Sequence, residues 1–259
     1  MDSELIIERQ GPVARLTVNR PEVRNALSIA ITQRIAQTLR DLSRDRSVRV
    51  FVLTGAGDRV FVSGADVTEF REQLATPERA LNYDTAAEQL QSALREVPQP
   101  VIARIQGHAV GSGTIVAASC DFRIAVRTAK FGIPVAKFGF LATVPDTLRL
   151  VQLVGTAKAK WLLMTGRLIE APEAQAIGLI DEVIDAEQLD ATVDALAATL
   201  AANAPLTIKA IKQIIETFSA PNNDVASGAR WYEEIFRSAD FREGLDAFFA
   251  KRKPEFTSE

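Results

Sequence analysis

The sequence predicts an α/β protein, with a core of strand-turn-helix units over 1–195 and a helical region over 196–259. Three observations predict it. In the first half, short runs rich in β-branched and aromatic residues alternate with helical patterns. Two glycine turns, Phe61-Val-Ser-Gly-Ala-Asp66 and Gly107-His-Ala-Val-Gly-Ser-Gly113, each stand between an apolar strand-like run and a helical pattern. From about Thr143 the alternation stops and helix follows helix.

Strands are predicted at 6–8, 13–18, 48–54, 101–105 and 122–125, with Phe61-Val62 leading into the first glycine turn. Helices are predicted at 28–44, 85–95 and 112–119, where apolar residues recur at three- and four-residue spacing. Beyond them, 156–165, 171–176, 186–202, 205–217, 223–237 and 239–251 read as helices, with Asn203-Ala-Pro205 and Ala220-Pro-Asn-Asn223 among the turns between them. Trp231, Phe236, Phe241, Leu245, Phe248 and Phe249 fall at roughly helical spacing, a stripe that serves either packing within the chain or a subunit interface. No internal repeat or low-complexity segment is seen.

The 259 residues, 47% hydrophobic and 24% charged, suffice for a large core. Thirty Lys and Arg against thirty-three Asp and Glu give a net charge of −3 with no long basic run, which argues against nucleic-acid and membrane-surface roles. One cysteine, Cys120, leaves no intramolecular disulfide, and together with one histidine, His108, it argues against a soft-metal site. The start, Met1-Asp-Ser-Glu-Leu5, is acidic where a secretory signal is basic, and no apolar run reaches the roughly twenty residues of a membrane span. A reducing, cytoplasmic setting is expected.

Two glycine turns brought together can aim backbone N–H groups at one point, where a carbonyl oxygen would have its developing negative charge stabilised. A turn that opens a helix suits this, because a helix N-terminus presents unpaired donors and a partial positive charge. A proton-transfer group is harder to find. His108 lies four residues from Ser112, and Val110-Gly-Ser-Gly-Thr114 places its glycines wrongly for a Gly-x-Ser-x-Gly elbow, so a Ser-His-Asp hydrolase is not supported. Gly107, Gly111 and Gly113 do not make a dinucleotide Gly-x-Gly-x-x-Gly either. Cys120 reads as a small buried residue in or ending the central helix.

Several segments together resemble the enoyl-CoA hydratase/isomerase (crotonase) superfamily, in order and spacing over nearly the whole chain. They are Asn19-Arg-Pro-Glu-Val-Arg-Asn-Ala-Leu27, the two glycine turns with Thr114 and Cys120-Asp121 after the second, Phe131-Gly132, and the tail Ala247-Phe-Phe-Ala-Lys-Arg-Lys-Pro-Glu-Phe256. The resemblance implies a crotonase-like ββα spiral core and a C-terminal helical region that trimerises. It further implies homotrimers or dimers of trimers acting on acyl-CoA thioesters. No separate cofactor or metal is implied, since coenzyme A enters with the substrate. An oxyanion hole made by the N–H groups of Ala65 and Ser112 is implied, as are coenzyme A contacts from Arg24, Ala26, Ser63, Gly64, Ala65, Asp66 and Gly111. Lys251, in the basic cluster 251–253, would approach the phosphates from within the subunit or across its boundary.

The chain departs from this pattern at the acid/base positions. Hydratases of the family commonly use two glutamates, and the matching positions hold Ile115 and Val135. The position of an aspartate used by some isomerases holds Thr143. The resemblance therefore implies a lyase or isomerase, nominally an enoyl-CoA hydratase, with a non-standard proton-transfer group. Asp146, three residues past Thr143, is the nearest downstream carboxylate and the candidate acid/base; an Asp before a helix is also a common N-cap, here before Thr147. Thr114, Glu69, Glu72, Tyr83 and Asp84 are further candidates. Two alternatives stay open: a coenzyme A thioester binding protein without chemistry, and a thioester hydrolase or decarboxylase on the same fold.

Overall fold

A computed structural model describes residues 4–69, 77–139, 141–218, 234 and 237–257, with side chains except at 77–84, 218 and 248. The elements run β1 (Leu5–Gln10), β2 (Val13–Val18), α1 (Ile29–Leu42), β3 (Val50–Gly55), β4 (Val60–Val62), α2 (Pro77–Glu96), β5 (Val101–Ile105), β6 (His108–Val110) and α3 (Ser112–Ser119). They continue with β7 (Phe122–Val126), β8 (Lys130–Gly132), α4 (Val144–Thr165), β9 (Ile169–Glu170), α5 (Ala171–Ala176), β10 (Glu182–Ile184), α6 (Leu189–Ala202), α7 (Pro205–Phe218) and α8 (Ala239–Ala250).

The first sheet has six strands in the order β1-β2-β3-β5-β7-β10, antiparallel at the β1-β2 hairpin and parallel thereafter. β2 turns Ala14, Leu16 and Val18 inward in strict alternation, whereas β3 is buried along its whole length, as a parallel strand covered on both faces must be. The second sheet has the order β4-β6-β8-β9, with β4, β6 and β8 parallel. Each of β3-β4-α2, β5-β6-α3 and β7-β8-α4 thus gives its first strand to the large sheet and its second to the small one. This is the ββα spiral that the resemblance implies, repeated three times without a repeat in the sequence.

The spiral positions the site. β4 and β6 lie side by side and parallel, so the chain leaves both at the same edge of the small sheet. Val62 pairs with Ala109, and Gly64 and Gly111, each two residues further on, come level with one another.

Local chemistry fixes the helices around that edge. Ser28 caps α1 by accepting the Ile31 N–H at 3.2 Å, and Ile31, Ile35 and Leu39 carry its apolar stripe into the core. α3 is buried at every residue after Ser112. Its C-terminal end is satisfied from α4: the Arg149 guanidinium donates to the Ala118 carbonyl at 2.7 Å, a cation at the negative end of the helix dipole. The same guanidinium pairs with Glu216 of α7 at 3.2 Å. The buried Lys212 ammonium of α7 donates to the Leu94 and Gln99 carbonyls and to Asp121, at 2.9, 3.1 and 2.7 Å.

The structure corrects several boundaries. β6, β8, β9 and β10 are strands of two or three residues that have no length in which to show a period. α2 begins at Pro77 instead of Thr85, and α4 at Val144 instead of Thr156, with Gly155 as a non-helical break. α6 runs unbroken through residue 195 and packs against β3, β5 and β7, so a division at 195/196 cuts a helix that covers the large sheet. Residues 223–233, with Trp231, and Phe236 lie outside the described residues, as does the Phe248 side chain. Of the rest of that stripe, Leu245 and Phe249 are exposed. Among the described residues no single helix is long and apolar enough to cross a membrane, and no group of three His, Cys, Asp or Glu side chains could hold a metal.

Candidate active site

The first turn is held by the segment before α1. The Leu27 N–H donates to Gly64 O at 2.9 Å and the Asp66 N–H to Leu27 O at 2.8 Å, a parallel bridge that turns the Ala65 amide to the opposite side. Among the described residues no protein acceptor takes the Ala65 N–H. Asn25, buried and left-handed at φ 55°, clasps the neighbouring strand by donating its amide to Ala56 O and Val60 O at 2.9 and 2.8 Å. Asp66 is engaged within the protein: its carboxylate accepts the Thr68 hydroxyl and N–H at 2.6 and 3.1 Å and lies 3.0 Å from the Arg20 guanidinium. The Thr68 hydroxyl is the largest reason that this carboxyl titrates below its ordinary range, against the effect of burial. Asp66, for which the resemblance implies a coenzyme A contact, also braces the turn through these bonds.

The second turn opens α3. Gly111 donates its N–H to Gly132 O at 2.8 Å, and its own carbonyl accepts the Thr114 N–H at 3.0 Å. Ser112 is the first helical residue, and no protein acceptor among the described residues takes its N–H. The two turns abut: a Cβ on Gly111 would lie 3.6 Å from the Gly64 Cα, and one on Gly64, whose φ is +123°, 3.3 Å from Val110 O. A Cβ on Gly113 would stand 2.1 Å from Val62 O, a backbone atom that cannot swing away. Gly113→Ala is therefore expected to part α3 from β4 and to cost at least about 1–3 kcal/mol in denaturant unfolding; an unchanged midpoint and slope would contradict this packing.

The two apolar positions pack into the core. Ile115, one turn along α3, is 3% exposed, and Val135 opens a short 3-10 turn packed against the core. Asp146 is not an N-cap. Thr143 caps α4, its hydroxyl accepting the Asp146 N–H at 3.3 Å, and Asp146 stands in the first turn, one turn before the anchored Arg149. Burial is the main reason that the Asp146 carboxyl titrates above its ordinary 3.8; hydrogen bonds from the Gln91 amide and Thr143 oppose it, Glu88 adds to it and Arg95 lessens it.

Gln91, on α2, is the residue that sequence reasoning missed, since a glutamine inside a helix gives no signal. It is 3% exposed, and together with Ser112 it lines a cavity of about 30 Å³ whose other walls include Leu27, Leu90 and Val116. Two buried side-chain atoms of this cavity, Ser112 Oγ and Gln91 Oε1, have no hydrogen-bond partner among the described residues, and neither has Asp146 Oδ1. Each such atom costs about 1–3 kcal/mol when left unsatisfied, so two in one cavity favour a polar occupant there.

A larger cavity, of about 780 Å³, lies at the other ends of β4 and β6. It is lined by Arg24, Arg59 and His108, with Glu22, Asp58 and Asn25. Arg24, left-handed at φ 56°, keeps its side chain exposed there, while its N–H donates to Pro21 O and its carbonyl accepts the Ser63 N–H. Ala26 is likewise engaged, its N–H with Val23 O and its carbonyl with Arg20.

The remaining candidates have structural partners. Thr114 Oγ1 donates to Ala109 O at 2.7 Å and accepts the Gly132 N–H at 3.1 Å, tying α3 to β6 and β8. The Glu69 carboxylate accepts the Ile29 N–H at 3.0 Å, at the start of α1. His108 Nδ1 accepts the Lys130 N–H at 3.2 Å. Cys120 ends α3 fully buried, and burial pushes its thiol up to about 12, which leaves no thiolate nucleophile. Glu72 and the side chains of Tyr83 and Asp84 lie outside the described residues. Lys251 follows α8 in a left-handed, exposed conformation, beside Arg252, which pairs with Glu243 at 2.6 Å.

Residues 8–259 match the family model described as "Enoyl-CoA hydratase/isomerase". A short-chain-enoyl-CoA hydratase of Clostridium acetobutylicum is 34% identical over 255 residues, covering 98% of this chain and 97% of the relative. A 1,2-epoxyphenylacetyl-CoA isomerase of Escherichia coli is also 34% identical, over 249 residues and 95% of each chain. The crystal structure of an enoyl-CoA hydratase from Bacillus anthracis superposes with a TM-score of 0.92 at 30% identity, covering 99% of this chain and 100% of that one. A hydratase and an isomerase share the same percentage identity with this chain, so identity alone does not choose the reaction.

Proposed function

Because the chain belongs to the enoyl-CoA hydratase/isomerase family, we propose that it processes an acyl-CoA thioester through an enolate, holding the thioester oxygen between the N–H groups of Ala65 and Ser112 and moving the proton with Asp146. The observation that carries this reading is the pair of unengaged amides on two abutting turns, one of them the first N–H of α3.

In this reading the Asp146 carboxylate takes a proton from C2. The C–H electron pair moves into the C1–C2 bond, and the carbonyl oxygen gains the charge that the two N–H groups receive. Returning the proton to C4 shifts a double bond from C3–C4 to C2–C3. One carboxylate suffices for this shift, whereas hydration by the usual pair of glutamates has Ile115 and Val135 in its place. A carboxyl raised above its ordinary value is a stronger base than a solvated carboxylate, which suits it to taking the C2 proton.

The cavity beside Arg24, Arg59 and His108 is read as the place of the coenzyme A nucleotide, with guanidinium groups available to phosphate. Lys251 serves the same phosphates, from the same subunit or a neighbouring one. Exposed Ile211, Ile215, Leu245 and Phe249 support a trimer or a dimer of trimers. The reaction needs no metal or separate cofactor, and a cytoplasmic setting suits it.

Incubation with a β,γ-enoyl-CoA, crotonyl-CoA, malonyl-CoA and a saturated acyl-CoA, followed by mass spectrometry, tests the proposal. Conversion of the β,γ-enoyl thioester to the α,β isomer, with deuterium entering the acyl group in heavy water, is expected. Hydration of crotonyl-CoA at enzymatic rates would replace isomerisation by hydration. Release of free coenzyme A would point to hydrolysis, and tight binding without any product to a binding protein.

A further inference from the structure

We propose that Arg149 is a positioning residue for proton transfer: its guanidinium ties α4, which carries Asp146, to α3, which carries the Ser112 N–H, and so sets the place of the carboxylate relative to the oxyanion hole. The inference rests on the functional reading above, in which Asp146 moves the proton.

Asp146 is carried by a short piece of helix. α4 is broken at Gly155, whose backbone is non-helical at φ 72°, so the part that bears the carboxylate runs from the Thr143 cap to Val154. Leu150 and Val154 bury their side chains from this piece, but apolar contact is non-directional and does not by itself fix how the piece is rolled about its axis. The Asp146 Oδ1 atom is buried and has no hydrogen-bond partner among the described residues, so its place follows from that of its helix.

Arg149 supplies the direction. Its side chain is buried one turn beyond Asp146, its Nε donating to Ala118 O at 2.7 Å and its Nη1 to Glu216 of α7 at 3.2 Å. Two bonds from one planar guanidinium fix a roll as well as a distance. Ala118 lies in the last turn of α3, a helix of eight residues. Such a helix is only about 12 Å long and moves as one rigid body, so the bond at Ala118 also sets α4 relative to Ser112 at the other end. A largely buried ion pair stabilises a fold no better, in general, than apolar side chains of the same volume. What this one adds is aim.

The test is a double-mutant cycle in the full chain with 3-butenoyl-CoA as substrate. Arg149→Lys, Arg149→Met and Glu216→Gln are each measured in the native and the Asp146→Asn backgrounds, and thermal melting shows which variants are folded. In the native background the Arg149 variants are expected to lower kcat about ten- to a hundredfold, the cost of a misplacement near 1 Å, with KM unchanged and lysine losing less than methionine. In the Asp146→Asn background, where no carboxylate is left to aim, the same substitutions should cost almost nothing further. An arginine that merely held the fold together would impose its loss in both backgrounds. If the methionine variant does not fold, Arg149→Lys and Glu216→Gln carry the comparison. Equal losses in the two backgrounds, or native kcat in folded Arg149→Lys and Glu216→Gln variants, would overturn the inference and leave Asp146 as the acid/base. Native turnover in Asp146→Asn alone, or no turnover of this thioester by the native protein, would overturn the functional reading, and this inference with it.

Discussion

Asp146→Asn is expected to lower turnover by about a hundred- to ten-thousandfold while leaving a folded, slightly more stable protein. The rate loss is the usual contribution of one positioned acid/base group. Asparagine keeps the shape, the place in the first turn of α4 and a polar end toward Gln91, so the change removes a proton acceptor and little else. The stability change follows from linkage. The carboxyl titrates above 3.8 in the folded chain, chiefly through burial, so folding binds its proton more tightly than the unfolded chain does. Its contribution is fully present below the ordinary value and is lost as pH rises through the raised one. Asparagine never ionises. The variant should therefore melt above the native protein at pH 7, with the difference closing as pH falls below about 4. Full turnover in the variant would move the proton transfer to another group, and a lower melting temperature at pH 7 would contradict the buried carboxylate.

Much of this site could be read from the sequence, and what could not has physical reasons. α3 was bounded at Ser112 and Ser119 because a glycine turn precedes an apolar run and Cys120-Asp121 closes it. The first turn of α4 was hidden because Val144-Pro145 looks like loop, yet proline in the first helical turn gives up only an N–H that would lack a partner anyway. Without that turn in view, Asp146 suits, besides its acid/base reading, the capping role that belongs to Thr143. Asp66 and Thr114 drew functional readings because of their place in the motifs; their hydrogen bonds, made to residues distant in sequence such as Arg20 and Gly132, become visible only in three dimensions. Gln91 could not be found in the sequence, because its meaning lies in an atom left without a partner.

Ser112→Pro should reduce turnover by roughly a hundred- to a thousandfold, the loss measured when one oxyanion donor is removed. The position suits the experiment. Ser112 is the first residue of α3, where the fixed φ of proline is compatible with the helix and the N–H lost makes no bond within the protein. Ser112→Gly, which keeps the N–H, separates the amide from the hydroxyl, and only the proline variant should show the full loss on an unsubstituted acyl thioester. Comparable losses in both variants would assign the effect to the side chain, and a folded proline variant with native turnover would remove Ser112 from the oxyanion hole.

The most direct measurement is the infrared carbonyl stretch of a ¹³C-labelled acyl-CoA thioester bound to the protein. Two N–H groups directed at its oxygen should draw the band to lower wavenumber than in water, and Ser112→Pro should return it part of the way. A bound thioester whose band stays at its position in water would contradict the convergence of Ala65 and Ser112 on the carbonyl oxygen.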